Sequence, residues 1–489
     1  MILTKAKLIL LTTALIMGLS AGEEALALSE SSCKELLNRV VKPYRALYKK
    51  LPPKQPWPKT AVVYQLIRLS PVDCVGRGHI RKTLKTVVSA VASHSGRVGV
   101  MLPISGKNME TYNAVLEGMK GVYPIGALTF PQRAVVKNTV GSIKAMELAL
   151  AEMVFRDQVG MLIGGATAAE AGALSRWADR LMIPTLILSQ MTPHSLRSKQ
   201  LFHVFPNEVS MVNRLTQAIR QRRYKRIAVL QPIRRGGGGQ MTHMLISRLK
   251  KSGVRVDKDY VYSPGDYESM EAAAKKVFNI VPADRPVEFQ KLVNRIKRQA
   301  KEAGLPFNPS LVSLPPQIDV DAIFIPDNFR TVRHFVNIFK FLGVEEMPLI
   351  GTQEWRAKGL IDPPEPFLDG SFFVDYIGDY RHLPARLRAR TSGSGYFVRP
   401  EETINIDYRI IGWHAMGIAE QTMSKIQANV KRRLIYKTLE ELTHPADGYF
   451  PKSRVFSKNH NSIWPAWLFR TSGQNLVLEA PSRKHARKR

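Results

Sequence analysis

The chain has 489 residues, too many for one ordinary domain, and its 44% hydrophobic and 23% charged content is that of a globular protein. Its formal net charge of +32 favours anionic partners: nucleic acid, lipid headgroups, cell-wall polymers or small anions. The basic residues are spread over the whole chain, whereas nucleic-acid proteins more often gather them in one arm or interleave them with aromatics, so we expect no nucleic-acid partner.

The first 27 residues have the layout of a secretory signal peptide. Lys5 and Lys7 precede the apolar run LILLTTALIMGL, and Ala25-Leu26-Ala27 supplies small residues for cleavage. The run is too short for a membrane span, and no later segment is apolar enough to cross a bilayer. We therefore predict a mature protein without a transmembrane segment, exported to the periplasm. The alternative is that the segment is retained as an interfacial anchor.

The chain contains two cysteines, Cys33 and Cys74. In an oxidising compartment they either form one disulfide or remain two unrelated thiols. Cys33 follows Glu30-Ser31-Ser32, whereas lipid attachment needs a Leu-small-small tripeptide before the cysteine, so we expect no lipid anchor. The cysteines lie apart from any histidine pair and indicate no zinc site.

Residues 28–92 form a short N-terminal region of two predicted helices separated by the proline-rich LPPKQPWPKT. From Val98 the pattern becomes regular: short apolar runs such as VGVMLPIS, VGMLIGG and PTLILSQ alternate with helical stretches. Such runs are typical of strands buried on both faces of a parallel sheet. The alternation starts afresh after Pro206, which predicts an α/β fold of two doubly wound lobes in tandem.

Within the second lobe, an insertion at residues 281–319 carries the segment PVEFQKLVNRIKRQAKEAG. Its apolar residues fall at helical spacing and most of its basic residues lie on the opposite face. The pattern predicts an ordinary surface helix.

Motifs for catalysis or cofactors are missing. The one Gly-x-Ser-x-Gly match, Gly18 to Gly22, falls in the signal peptide, and a nucleophile elbow needs a strand before it. The sequence has no His-Glu-x-x-His pair, and no Gly-x-Gly-x-x-Gly turn opens the first lobe. We expect no enzyme, no catalytic residue, no metal site and no cofactor.

The order of these segments from Gly96 to Ala480 resembles the type I periplasmic binding proteins, especially the family that binds branched-chain amino acids for ABC transporters. VGVMLPISG resembles that family's first strand and turn, and VGMLIGGATAAEAG its second signature. The resemblance implies two lobes joined by three crossovers that close on a ligand like a hinge. Lobe one would comprise residues 96–206 and 376–445, and lobe two 207–375 and 446–480, with a basic tail at 481–489.

In that family, two turns of lobe one hold the carboxylate and ammonium of a free amino acid through small hydroxyl residues and backbone groups. Thr167 stands where a helix begins, so it either caps that helix or helps the helix N-terminus to receive a carboxylate. Ser105, in the first turn, is a further candidate. The positions that match the two turns are Gly165, Ala166, Thr167, Ser189, Met191 and Thr192.

In the second lobe, the resemblance places an acidic residue for the ammonium after a strand like PLIGTQEW, at Gln353 or Glu354. Gln353 at that position would leave the ammonium without a charge partner. Asp327 either substitutes or caps the next helix. Two further departures are Met191, which is bulkier than the residue usual in its turn, and Arg234-Arg235-Gly236, which replaces acidic and aromatic residues.

The four glycines in RRGGGGQMTH also lack the Lys-Ser/Thr of a phosphate-binding loop. They predict a joint between strand and helix beside the cleft, and they make the ligand unusual, anionic or missing.

Two functions remain open. The first is a solute-binding protein that captures an amino acid or related compound for an ABC permease or sensor. The second is a ligand-free envelope regulator or scaffold with a cell-wall partner, as in the penicillin-binding protein activator lipoprotein. That lipoprotein's C-terminal domain is related and also follows a helical region, although this chain lacks its lipid-attachment cysteine.

Overall fold

The computed structural model divides the chain into two units: Met1–Ala92 with Ala151–Gln158, and Ser93–Leu150 with Val159–Arg489. The following sections concern the second unit. The signal peptide, residues 28–92, both cysteines, Met191, Thr192, residues 234–238 and the basic tail lie outside the described residues. The structure describes residues 96–106, 109–123, 130–189, 198–206, 208–233, 239–360, 362–378, 400–426, 432–444 and 453–479.

Lobe one is built on a sheet of five parallel strands: β1 (Val98–Leu102), β2 (Ala134–Asn138), β3 (Met161–Gly164), β4 (Thr185–Ile187) and β5 (Leu201–His203). The sheet order is β2-β1-β3-β4-β5. Every residue of β1, β3, β4 and β5 is buried, as the continuous apolar runs predict for strands covered on both faces. The helices between these strands are α1 (Met109–Lys120), α2 (Phe130–Arg133), α3 (Ile143–Ala151) and α4 (Ala168–Leu181).

Lobe two has seven strands: β6 (Arg226–Pro232), β7 (Arg255–Tyr262), β8 (Ala322–Phe324), β9 (Leu349–Gly351), β10 (Phe372–Asp375), β11 (Trp467–Ser472) and β12 (Asn475–Glu479). In the order β12-β11-β10-β9-β8-β6-β7, the strands β6 to β10 are parallel, and β11 and β12 add an antiparallel hairpin. Its helices are α5 (Glu208–Gln221), α6 (Gln240–Lys251), α7 (Tyr267–Val277), α8 (Pro286–Glu302) and α9 (Phe329–Phe341). The predicted α/β class with two lobes is confirmed.

The chain passes between the lobes three times: after β5, after β10 and before β11. After β10 it returns to lobe one with α10 (Pro400–Ser424) and α11 (Arg432–Glu441). Val455, Phe456 and Trp464 still lie in the core of lobe one, and the Trp464 indole N–H donates a hydrogen bond to the Val204 carbonyl at 2.7 Å. The third crossing therefore falls between Trp464 and β11, later in the chain than the predicted boundary at 445/446.

The longest helix in the described parts of the chain is α10, with 25 residues. Neither α10 nor any other helix in these parts has both the length and the apolar character that a membrane span requires.

Helices α1 and α10 cross with their backbones in direct contact. A Cβ atom added to Gly118 would lie 1.9 Å from the Arg409 carbonyl oxygen, and one added to Gly412 would lie 2.0 Å from the Val115 carbonyl oxygen. Only glycine, which has no Cβ, allows so close an approach. The crossing fixes α10 against lobe one and thereby positions the residues of its first turns.

We expect Gly412→Ala to lower the free energy of unfolding by about 1–3 kcal/mol, because the new methyl group overpacks a rigid backbone contact. Gly417, on the same helix, has open space around its Cα, with no heavy atom within 4 Å of an added Cβ. Gly417→Ala is therefore the matched control, and we expect it to be neutral or stabilising by about 0.5–1 kcal/mol. Denaturant unfolding of both variants measures the difference. Equal effects would contradict the close crossing.

Candidate functional site: the cleft between the lobes

The carboxyl ends of the parallel strands in both sheets face the region where the two lobes meet. The first two crossovers leave from these ends, after β5 and after β10, and open α/β sheets bind ligands outside the carboxyl ends of their strands. The topology places at these carboxyl ends the turns that follow β1, β3, β4 and β5 in lobe one, and those that follow β8, β9 and β10 in lobe two.

The turn after β3 is shaped by glycine and closed by a helix cap. Gly165 has φ +65°, and an added Cβ would lie 2.9 Å from Ile187 Cδ1, so this turn requires glycine. Thr167 is the N-cap of α4: its Oγ1 accepts the Glu170 N–H at 3.2 Å, and the Glu170 carboxylate accepts the Thr167 N–H at 3.4 Å. The interpretation of Thr167 as a capping residue is confirmed. A ligand role for Thr167 stays a prediction.

The other predicted residues of lobe one lie along the same edge of its sheet. Ser105 follows β1, and its Oγ accepts a hydrogen bond from Asn138 Nδ2 at 2.6 Å. Ala166 follows Gly165, and its carbonyl accepts the Tyr112 hydroxyl at 3.4 Å. Ser189, after β4, is buried. The structure thus gathers Ser105, Ala166, Thr167 and Ser189 at adjacent strand ends, and Met191 and Thr192 lie outside the described residues.

Aromatic side chains that sequence reasoning did not select also lie at this edge. Tyr112 comes from the first turn of α1, Phe205 follows β5, and Tyr408 comes from α10; all three pack partly buried against the core of lobe one. The ring centroids of Phe205 and Tyr408 are 6.3 Å apart. Burial raises the pKa of the Tyr112 and Tyr408 hydroxyls, which therefore remain protonated at neutral pH. Tyr112 stands just after the predicted Ser-Gly turn, but no local pattern marks Tyr408.

Asp327, predicted as a ligand or a cap, is engaged within lobe two. It is buried and accepts hydrogen bonds from the Tyr262 hydroxyl at 2.7 Å and from Asn328 Nδ2 at 2.9 Å. Asn328, rather than Asp327, caps α9 by accepting the Thr331 N–H at 3.1 Å. The capping alternative is therefore corrected by one position: Asp327 holds the side chain of the cap.

The turn after β9 carries the two remaining candidates. Gln353 is partly buried, and its Oε1 has no hydrogen-bond partner among the described residues, whereas Glu354 is exposed. Trp355 turns into the core of lobe two, where its indole N–H donates to the Ile325 carbonyl at 3.1 Å. The proposed contact of Gln353 or Glu354 with a ligand stays a prediction.

One residue further on, Arg356 forms a buried ion cluster with two carboxylates. Its Nε and Nη2 donate to the two oxygens of Asp375 at 2.7 and 2.8 Å, and its Nη1 donates to Asp407. The Tyr376 hydroxyl donates to the other Asp407 oxygen at 3.1 Å. Arg356 and Asp375 belong to lobe two, whereas Asp407 lies on α10 of lobe one. This Arg356 cluster therefore ties the lobes together.

The Arg356 cluster holds one more negative than positive charge when both carboxyls are ionised. Burial raises the pKa of Asp407 to about 6, an effect that the Arg356 guanidinium opposes and the Asp375 carboxylate reinforces. Bidentate pairing keeps Asp375 and Arg356 joined, so Asp407 is the member of the cluster that takes up a proton.

We expect the Arg356 cluster to make stability pH-dependent. Because the pKa of Asp407 is higher in the folded state than in the unfolded chain, its stabilising contribution is complete below about pH 4. The contribution is lost as the pH rises through about 6.

Between pH 4 and 7 the wild type should therefore lose up to about 3 kcal/mol of unfolding free energy relative to Asp407→Asn. Denaturant unfolding across this range measures the difference, with Glu346→Gln, which removes a charge from an exposed loop, as the control. Parallel pH profiles for the wild type and Asp407→Asn would contradict it.

Among the described residues, no three histidine, cysteine, aspartate or glutamate side chains converge in a metal-binding arrangement. The described groups are hydroxyls and a glycine turn on lobe one, partly buried aromatic rings beside them, and an ion cluster that joins the lobes.

Two lobes of this topology, joined by three crossovers, constitute the type I periplasmic binding fold. No protein-family model matches the sequence, and no curated protein is a significant match. The similarity is to solved structures, and at 12–16% identity it shows the fold alone. It confirms the resemblance that the sequence motifs indicate.

The solved structures are substrate-binding proteins of ABC transporters. One is a putative branched-chain amino acid ABC transporter protein from Rhodospirillum rubrum, with a TM-score of 0.56 and 12% identity; the match covers 78% of this chain and 99% of that one. Another is an ABC transporter substrate-binding protein from Sphaerobacter thermophilus, with a TM-score of 0.52 and 16% identity over 79% of this chain and 96% of that one.

Proposed function

We propose that the protein is a periplasmic solute-binding protein that captures a small ligand between its two lobes. The observation that carries the proposal is that Ser105, the glycine turn at Gly165 and the ring of Tyr112 lie at adjacent strand ends of lobe one, where the Tyr112 hydroxyl donates to the Ala166 carbonyl. The fold, which known ABC-transporter substrate-binding proteins share, supports it. The protein would make and break no bond, and binding would shift an equilibrium between open and closed lobes.

The charges around the cleft favour a carboxylic acid with an apolar body over a zwitterionic amino acid. The N-terminus of α4 offers the partial positive charge of a helix dipole to a carboxylate, and the Thr167 N–H itself already donates to Glu170. An ammonium has fewer charge partners, because the Asp327 carboxylate already accepts hydrogen bonds from Tyr262 and Asn328, and Glu354 is exposed to water. The partly buried ring of Tyr408 offers an apolar surface to the rest of the ligand.

The Arg356 cluster supports a second candidate function, a ligand-free envelope regulator or scaffold. It joins lobe two to α10 through Asp407, so side chains of the fold itself hold the two lobes together. A protein of this kind would bind a cell-wall component or a synthase on its outer surface rather than a solute in its cleft.

A thermal-shift screen separates these functions. The purified protein is heated with aliphatic amino acids, aromatic and aliphatic carboxylic acids, and small peptidoglycan fragments. For a solute-binding protein we expect one class to raise the Tm by several degrees, since a ligand at 100 times its Kd stabilises the folded state by about 2.7 kcal/mol. A carboxylic acid should raise the Tm by more than the corresponding amino acid does.

The affinity for a ligand identified in this screen should depend on residues of the cleft. Tyr408→Ala should weaken its binding, measured by calorimetry, by about tenfold or more, because an aromatic contact of about 1.5 kcal/mol is lost. Tyr267→Ala, which removes a 49% exposed ring at the start of α7, is the matched control and should bind normally. If no compound shifts the Tm while the protein cosediments with peptidoglycan, the regulator is the function and the solute-binding proposal is wrong.

A further inference from the structure

The insertion in lobe two places a long helix on the surface. Helix α8 has 17 residues, and none of them is fully buried. Phe289 and Leu292 pack, partly buried, against the core of lobe two, and Val293 and Ile296 are also partly buried. The helix is therefore seated on the lobe by one apolar stripe, and its opposite face is left to the solvent.

That solvent face is strongly basic. None of its basic side chains forms an ion pair with any described residue. The nearest ion pair joins Arg285, which precedes the helix, to Glu288 in its first turn. By helical spacing, Lys291, Arg298 and Lys301 lie along one line with Val287, opposite Phe289. Of its two acidic residues, Glu288 is taken by Arg285 and Glu302 is exposed. The basic face, as named below, consists of Lys291, Arg295, Lys297, Arg298 and Lys301.

Large apolar side chains are exposed around the basic face. Val287 is 66% exposed, Leu305, just beyond the helix end, is 65% exposed, and Leu311, in the following turn, is 82% exposed. A soluble protein gains nothing by presenting such side chains to water beside a row of unpaired cations. At the surface of an anionic bilayer both features are stabilising, because the cations meet lipid phosphates and the apolar groups enter the headgroup boundary.

We propose that α8 docks lobe two onto the surface of an anionic phospholipid bilayer, with the basic face on the headgroups and Leu305 and Leu311 entering the interface. A nucleic acid fits this surface less well, because stacking on bases needs exposed aromatic rings and the one aromatic residue of α8, Phe289, faces the core. This docking is independent of any ligand in the cleft.

Cosedimentation of the exported, purified protein with lipid vesicles tests the proposal. The vesicles are made either of phosphatidylcholine alone or of phosphatidylcholine and phosphatidylglycerol at about 3:1, where about 1 kcal/mol is expected from each basic residue near the surface. We expect binding to the anionic vesicles only, and binding that weakens as salt is raised. Absence of binding to anionic vesicles at low salt would overturn the proposal.

The triple variant Lys291→Glu, Arg298→Glu and Lys301→Glu should reduce binding at least tenfold. Its matched control reverses three exposed basic residues at the end of α6, Arg248→Glu, Lys250→Glu and Lys251→Glu, and changes the net charge equally. The control should bind within about twofold of the wild type if the effect is local. Equal losses in both triples would overturn the proposal in favour of attraction by net charge.

A soluble polyanion is the remaining alternative, and the apolar side chains distinguish it. Leu305→Ser with Leu311→Ser should weaken vesicle binding and leave heparin binding unchanged, since only a bilayer offers an apolar interface. If heparin binds more tightly than the vesicles and the two serine substitutions change neither, the basic face serves a polyanion and the bilayer proposal is wrong. Unaltered thermal unfolding of each variant shows that the fold is retained.

Discussion

Two carboxylates share one guanidinium where the lobes meet, and the position of the whole cleft depends on this contact. A buried ion such as Arg356 is stabilised only when its partners satisfy its charge and its N–H donors, and Asp375 and Asp407 do so from different lobes. Removing Asp375 would take away the bidentate partner of the guanidinium, whereas removing Asp407 would leave one carboxylate for one guanidinium. The close crossing of α10 on α1 supports the same contact from behind, because it fixes the helix that carries Asp407.

The Arg356 cluster also affects how easily the lobes can separate, because it contains contacts between them. If the lobes open and Asp407 moves away from Arg356, water must replace the charge-assisted hydrogen bonds between them. These bonds persist only if the whole cluster moves together with the crossover after β10. Protonation of Asp407 removes its negative charge and thereby weakens its ion pair with Arg356. Proton uptake by Asp407 and the contact between the lobes are therefore coupled.

The sequence predicts what depends on neighbours in the chain and misses what depends on the fold. Apolar runs of four to eight residues predict the buried strands, and Thr167 at the start of a helical pattern predicts the cap of α4, because both signals are local. Asp407 and Arg356 are 51 residues apart, and their meeting depends on the path of the second crossover. Tyr408 belongs to a helix whose face toward the cleft is decided by its packing on α1. The return to lobe one as far as Trp464 likewise rests on a hydrogen bond to distant Val204.

The charge of the chain and the chemistry of the cleft have separate explanations. The Arg356 cluster, where the lobes meet, holds one more negative than positive charge when both carboxyls are ionised. The net charge of +32 is that of the whole chain, and the buried Arg356 cluster does not account for it. The basic face of α8 forms no ion pair with any described residue, and exposed leucines follow the helix at Leu305 and Leu311. A surface with a basic face and exposed leucines is stabilised by a partner that is both anionic and apolar, and a phospholipid interface has both properties.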